Sequence, residues 1–381
     1  MSTIKVNKIE NTATADGGIA IDASGHVTVD GQQLPTAGAL SNRNLIQNGD
    51  QRIDQRNNGS AVTGSGDFPV DRFSLSQAGG GAYSAQRVTD APTGFQYSTK
   101  ITTTTADSSI TGSERLLYIT RLEGQNTAFL EFGTANAKTI TLSFYVKSSV
   151  TGTFSGAIQN GASDRSYPYN YTINTADTWE YKTVTITGDT TGTWATDNTK
   201  SHQVIWSLGN SSDRAATVNA WGDGQKWGST TGTANTLGTL NATWFITGVQ
   251  LEVGEKATSF EHRSFGDELA KCQRYYSQSY TYGTTAGTAA DGGAVMSSAY
   301  AAISYATAGT AFFPQPMRAA PSVTIYSNNG TQGKVGADST DGNGSASNIS
   351  DKSAILARNN DSTGVGANVW IRAHFVASAE L

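Results

Sequence analysis

A single cysteine, Cys272, in 381 residues excludes an internal disulfide and any cysteine-based metal cluster. Charge is scarce as well: only 15% of residues are Asp, Glu, Lys or Arg, and the formal net charge is −5. Such a chain has no clustered basic face with which to release counterions from phosphates, so nucleic acid is not an expected partner. No stretch of about eighteen apolar residues exists, so no membrane-spanning helix is expected. The opening MSTIKVNKIE lacks the apolar core of a signal peptide, which predicts cytoplasmic synthesis without export by the usual route. The four histidines, His26, His202, His262 and His374, are scattered, with no HExxH, no GxSxG and no metal-ligand spacing. No Asp or Glu pair is marked as a glycosidase dyad, and the regular repeat of a parallel β-helix is missing. The expectation is a protein that is not an enzyme and needs no cofactor.

What the chain has instead is 42 glycines with abundant Thr, Ser, Asn and Ala. This composition cannot supply many long amphipathic helices, but it suits short strands joined by tight turns, where Gly and Asn accept positive φ. An all-β fold follows. In residues 1–41 the phrases IKVNKIE, GGIAIDASG and HVTVDG read as short strands too thin in apolar content to fold alone. They read either as a flexible tail or as an attachment segment burying Ile4, Val6, Ile9, Ile19, Ile21, Val27 and Val29 between chains. Residues 42–265 then show about eleven short segments, from NLIQNG and DRFSLSQ to HQVIWSLGN and TWFITGVQLE, separated by turn residues as in a β-sandwich. Leu142, Phe144 and Val146, like Val184 and Ile186, alternate toward a core.

The join is FITGVQLEVGEKATSFEHRSFGDELAKCQRYY, Phe245–Tyr276. Gly248 interrupts its alternating run, as at a bulge or a close backbone approach. Ser264 can cap a short helix over 266–276, with Asp267 and Glu268 at the positive end of its dipole. Residues 277–381 return to strands and form a smaller sandwich; the Gly- and Asn-rich Ser327–Ser350 reads as hairpin loops, and VWIRAHFVASAEL as a long strand ending inside a fold.

The stretch GVQLEVGEKATSFEHRSFGDELAKCQRYY, with NLIQNGDQRIDQRNNG and FPQPMRAAPSVTIYS on either side, resembles the junction of bacteriophage tail-fibre and related virion proteins. In these a jelly-roll domain, similar to carbohydrate-binding modules, leads through a short helix into a C-terminal β-domain. The resemblance implies a virion protein joined to other virion proteins through residues 1–41, and a homotrimer. For the apolar stripe Leu269, Cys272, Tyr275 and Tyr276 it favours burial about a three-fold axis. It also implies a structural calcium between the first and last jelly-roll strands, where Asn48, Asp50 and Glu252 would meet with the oxygen ligands a hard cation takes.

Function then turns on aromatic residues, because sugars stack their C–H faces on exposed rings while amides and charged groups satisfy their hydroxyls. Tyr167, Tyr169 and Tyr171 in RSYPYNYT have period two and share one face, with Arg165 and Asn170 nearby. Trp221 and Trp227 flank a Gly-rich turn in AWGDGQKW. Either set reads as a sugar platform or as ordinary core and edge cover. Two functions follow: adhesion to a host surface polysaccharide, or a purely structural collar, head-fibre or decoration protein.

Overall fold

The computed structural model describes residues 8–10, 18–21, 27–29, 32–33, 41–231, 234–338, 340–359 and 365–381. It is all-β apart from the helix Phe265–Gln273 and three single turns of 3-10 helix among these residues. The chain divides into two units: 1–50, 77–83 and 90–262 form the first, and 51–76, 84–89 and 263–381 the second.

At the start, Lys8–Glu10, Gly18–Ile21, Val27–Val29 and Gln32–Gln33 pair in order as an antiparallel meander, with Ile9 opposite Ile19 and Ile19 opposite Val29. Ile9, Ile19 and Ile21 remain 60%, 43% and 44% exposed. Ile4 and Val6, and the side chain of Val29, lie outside the described residues.

The first unit is a two-sheet sandwich. In one sheet Gly222–Asp223, Arg165–Ile173, Gly152–Asn160, Lys200–Asn210 and Arg115–Glu123 are neighbours; in the other, Glu180–Ile186, Ile140–Ser148, Thr243–Val253 and Ser98–Thr105. The strands Phe73–Ala78 and Ala82–Val88 are divided between the two units. Alternation decides what is inside: Ile140, Leu142, Phe144 and Val146 are fully buried, and Leu142 lies opposite Val184 and Leu251. Phe144 meets Tyr171 at 5.1 Å and Trp206 at 5.7 Å, both edge-on, while Tyr118 meets Trp244 at 5.9 Å. Burying each such ring contributes about 2–3 kcal/mol, which makes this aromatic layer the main adhesive between the sheets. The NLIQNG segment does not form the strand its sequence suggests; Leu45 N donates to Leu251 O and the chain then turns.

In the second unit Val369–Ser378 is the hub, pairing with Tyr276–Gln278, Val295–Ala299, Ser322–Ser327 and Lys334–Ala337. Its long alternating run has neighbours to both sides, so Ile371, Ala373, Phe375 and Ala377 are buried and the terminal strand lies inside the fold. Ser327–Ser350 is more ordered than hairpin loops: Lys334–Ala337 and Thr340–Ser347 pair as strands. The helix starts where expected, with Ser264 Oγ accepting from Asp267 N at 3.1 Å. Its apolar stripe, however, is covered by its own chain. Cys272 is fully buried, Arg72 lies 3.4 Å over the Tyr275 ring, Arg56 lies 3.8 Å over the Tyr276 ring, and Leu269 is half-buried. For Cys272, Tyr275 and Tyr276 the expected three-fold interface is thus corrected to intrachain core, with guanidinium groups over the two tyrosine rings, while Leu269 stays half-buried.

Those guanidiniums belong to a buried ionic cluster. Arg56 reaches Asp71 at 2.9 Å and Glu380 at 2.8 Å, Arg72 reaches the other Glu380 oxygen, and Gln55 Nε2 donates to Asp71. Burial pushes the Asp71 carboxyl up to about 6 despite the Arg56 charge. A folded carboxyl that holds its proton more tightly than the unfolded one gives the folded state relative stability as pH falls through about 6, above the range in which Glu380 titrates. Urea unfolding of the full chain should show that gain, and Asp71→Asn should flatten it; an unchanged slope would mean that Asp71 does not titrate there.

Candidate functional site

The first unit carries a cleft of about 610 Å³ on the outer face of the sheet containing Ile140–Ser148 and Glu180–Ile186. Its floor comes from the polar parity of those strands. Because Phe144 and Val184 point inward, Ser143, Tyr145 and Tyr181 point outward, with Tyr145 and Tyr181 directly opposite in register. The two rings lie 4.9 Å apart, and Tyr181 is 45% exposed. Partial burial pushes the Tyr181 hydroxyl above its ordinary range, so it stays a neutral donor at any physiological pH. Phe95 continues the aromatic surface, 5.4 Å from Tyr145 and 5.1 Å from Phe260, with His262 4.9 Å from Phe260.

One wall of the cleft is the loop through Lys256, Thr258, Ser259 and Phe260, and the sequence motif QLEVGEKATSFE explains its shape. Glu252 accepts from Thr258 N at 2.8 Å and Thr258 Oγ1 at 2.6 Å, and Gln250 Nε2 donates to Glu252 while Gln250 Oε1 accepts from Glu261 N. Glu261 in turn accepts from the backbone N–H groups of Arg43 and Asn44, whose side-chain amide closes onto Val249 O. The side chains of Gln250, Glu252 and Thr258 at this loop base are buried and hydrogen-bonded, which holds the wall rigid rather than leaving it to fold on binding. The floor is fixed by Gly248, at φ 61°, where an added Cβ would lie 2.7 Å from Phe95 Cζ and 3.0 Å from Tyr145 Cδ2. The bulge it creates shifts the register between Thr247 and Gln250 and lets Phe95 settle on the sheet.

The residues singled out in the sequence lie elsewhere. Tyr167, Tyr169 and Tyr171 do share a face, but it is the inner one: they lie opposite Ile158, Gly156 and Phe154, and all three are buried. Tyr169 Oη donates to Ile205 O, and Tyr171 stacks on Phe154. They are sandwich core and cannot present a stacking surface. Arg165 is locked by Asp189 at 2.7 and 2.9 Å and by Asp223 at 2.7 Å, and its pKa is raised chiefly by the Asp189 hydrogen bonds. Asn170 Nδ2 reaches Thr231 O at 3.4 Å. Trp227 is buried over Leu117, Ile119 and Ile205, with Arg115 and Arg214 against its ring, so it covers the other sheet. Trp221 is half-buried between Trp194 and Tyr167 and donates to Thr187 O. Of the residues expected around calcium, Glu252 is buried and engaged by Thr258 and Gln250, and Arg43 lies 3.8 Å from its second oxygen. Asn48 is buried and Asp50 half-buried, and among the described residues no group of three or more His, Cys, Asp or Glu side chains is placed to hold a metal.

The signal that does mark the cleft residues is an aromatic on the polar parity of an amphipathic strand, Tyr145 in ITLSFYVKS and Tyr181 in EYKTVTI. Such a ring is placed against water by the same alternation that buries its neighbours. Chemically, the cleft offers ring faces for sugar C–H groups, hydroxyl donors from Ser143, Tyr145 and Tyr181, and a Lys256 edge.

No family model matches the chain, and no curated protein matches it in sequence. Solved structures give remote likenesses in fold. The enzymatically active domain of tailspike protein 4 of bacteriophage CBA120 aligns at 10% identity and a TM-score of 0.29, over 56% of this chain and 22% of that one. The family 11 carbohydrate-binding module of a Clostridium thermocellum cellulosomal cellulase aligns at 14% identity and 0.26, over 54% and 99%. The tandem CBM22 domain of Paenibacillus barcinonensis Xyn10C aligns at 7% identity and 0.26, over 91% and 98%.

Proposed function

We propose that this chain is a homotrimeric virion appendage protein, a tail fibre or similar, that adheres to a host surface polysaccharide through the Tyr145–Tyr181 cleft. The observation that supports this most is the outward aromatic floor, flanked by hydroxyls and a rigid wall, on a β-sandwich; exposed rings beside polar donors are what a weak, shallow sugar site requires. The cleft is lined by rings, hydroxyls and a lysine, groups suited to holding a sugar, and binding is the role proposed for it. Residues 1–41 provide the attachment to other virion proteins in this reading.

The test is adsorption of the purified full chain to host cells before and after surface polysaccharide is stripped. Tyr181→Ala should weaken each site by about tenfold, or 1–2 kcal/mol, and retention by a trimer by far more, with melting nearly unchanged because the ring is half in water. Wild-type protein that adsorbs no better than an inert control would replace adhesion with the purely structural role of a collar, head-fibre or decoration protein. Light scattering on the same preparation should give three copies, and a monomeric mass would rule out the trimer.

A further inference from the structure

The second unit has its own aromatic cleft, of about 200 Å³, lined by Ser298, Ala299, Tyr300, Asn368, Val369 and Trp370. Tyr300 is 83% and Trp370 51% exposed, unlike the buried tyrosines and Trp227 of the first sandwich. Single exposed rings are ordinary on a protein surface, but two at one concavity with an amide and a hydroxyl beside them are a composed feature.

The backbone explains their placement. Trp370 lies opposite Ser298 in the pairing of Val369–Ser378 with Val295–Ala299, and its inward neighbours Ile371 and Ala299 are buried, which turns Trp370 and Ser298 to the outside. On its other side the strand is held at Asp338: Trp370 N donates to Asp338 Oδ1 and Asp338 N donates to Trp370 O, each at 3.2 Å. Asn368, at φ 58°, ends the turn entering the strand and is exposed. Trp370 is thus carried by regular sheet, the kind of support that keeps a binding surface in place without ordering cost, and Tyr300 follows directly on the strand Val295–Ala299.

We infer that this cleft is a second saccharide site, in which Trp370 stacks on one sugar ring, Tyr300 flanks it, and Asn368 and Ser298 meet its hydroxyls. Its size suits a single residue, such as a chain end or a side branch, whereas the larger cleft of the first unit accommodates several. The inference does not depend on that first cleft.

The experiment uses the full chain carrying Tyr181→Ala, which weakens the first cleft, and saturation-transfer NMR with disaccharides of the common hexoses and N-acetylhexosamines as probes. At least one disaccharide should show transfer; adding Trp370→Ala should reduce its affinity by about tenfold, and Trp370→Phe should restore most of it. The inference is overturned if no disaccharide shows transfer, or if adding Trp370→Ala changes nothing. It is equally overturned if Trp370→Ala lowers the assembled mass by sedimentation, which would make the patch a contact between copies. Failure of the first cleft alone would appear differently, as equal adsorption of wild type and Tyr181→Ala with transfer still sensitive to Trp370.

Discussion

Glu380→Gln should lower the unfolding midpoint of the second unit by roughly 10 °C, the largest effect expected from any single uncharged replacement in this chain. Glu380 is the shared partner of Arg56 and Arg72, and the Arg72 side chain is only 1% exposed. Glutamine keeps the shape and removes the charge, so the loss is not one of packing. Removing one partner of a buried ionic set leaves the other charge desolvated and uncompensated, which costs about 3–5 kcal/mol. The ring faces of Tyr275 and Tyr276 beneath the two guanidiniums offset part of this, since cation–π contacts contribute up to about 2 kcal/mol when desolvated. Calorimetry on wild type, Glu380→Gln and the pair Glu380→Gln with Arg72→Met would decide the matter. Partial recovery in the double variant is expected, because it removes the orphaned charge. A midpoint within a degree of wild type for Glu380→Gln would show that the cluster contributes nothing to stability.

Gly248→Ala should act on both stability and binding. The residue holds φ 61°, which costs an L-residue about 1–2 kcal/mol, and its new methyl would displace Phe95 or Tyr145 at a further cost of about 1–3 kcal/mol. Neither ring can yield freely, because Phe95 is held by Phe260 and His262, and Tyr145 by Tyr181. The floor and one wall of the cleft should therefore move together, and adsorption should fall further than in Tyr181→Ala, which removes one ring and leaves the others in place. Scanning calorimetry gives the first effect and cell adsorption the second. If adsorption survives while the first unit melts several degrees early, the Tyr145–Tyr181 cleft is not where the protein binds.

Much of the fold was legible because it depends on local rules. Scarce charge and abundant Gly, Thr and Asn predicted strands, alternation located most of the longer ones but not Val295–Ala299 or Thr340–Ser347, Ser264 announced the helix, and Gly248 in an apolar run announced a bulge. The strand VWIRAHFVASAEL was readable as an interior strand from its length and alternation alone.

The sequence determined that Tyr167, Tyr169 and Tyr171 share a face, since period two requires it, but not which face, because alternation is symmetric until a second sheet packs on one side. Only the tertiary structure broke that symmetry, burying those three and turning Tyr145 and Tyr181 outward. It also brought Phe95 and Phe260 together from 165 positions apart in numbering and gathered Gln51–Ser76 with the C-terminal residues, so that Arg56 and Arg72 meet Glu380 and Asp71 meets Arg56. Contacts of that range leave no local signal: each residue satisfies its own strand or turn wherever its partner lies, and the pairing is decided only when the sheets close and burial makes an unpaired charge or an uncovered ring costly.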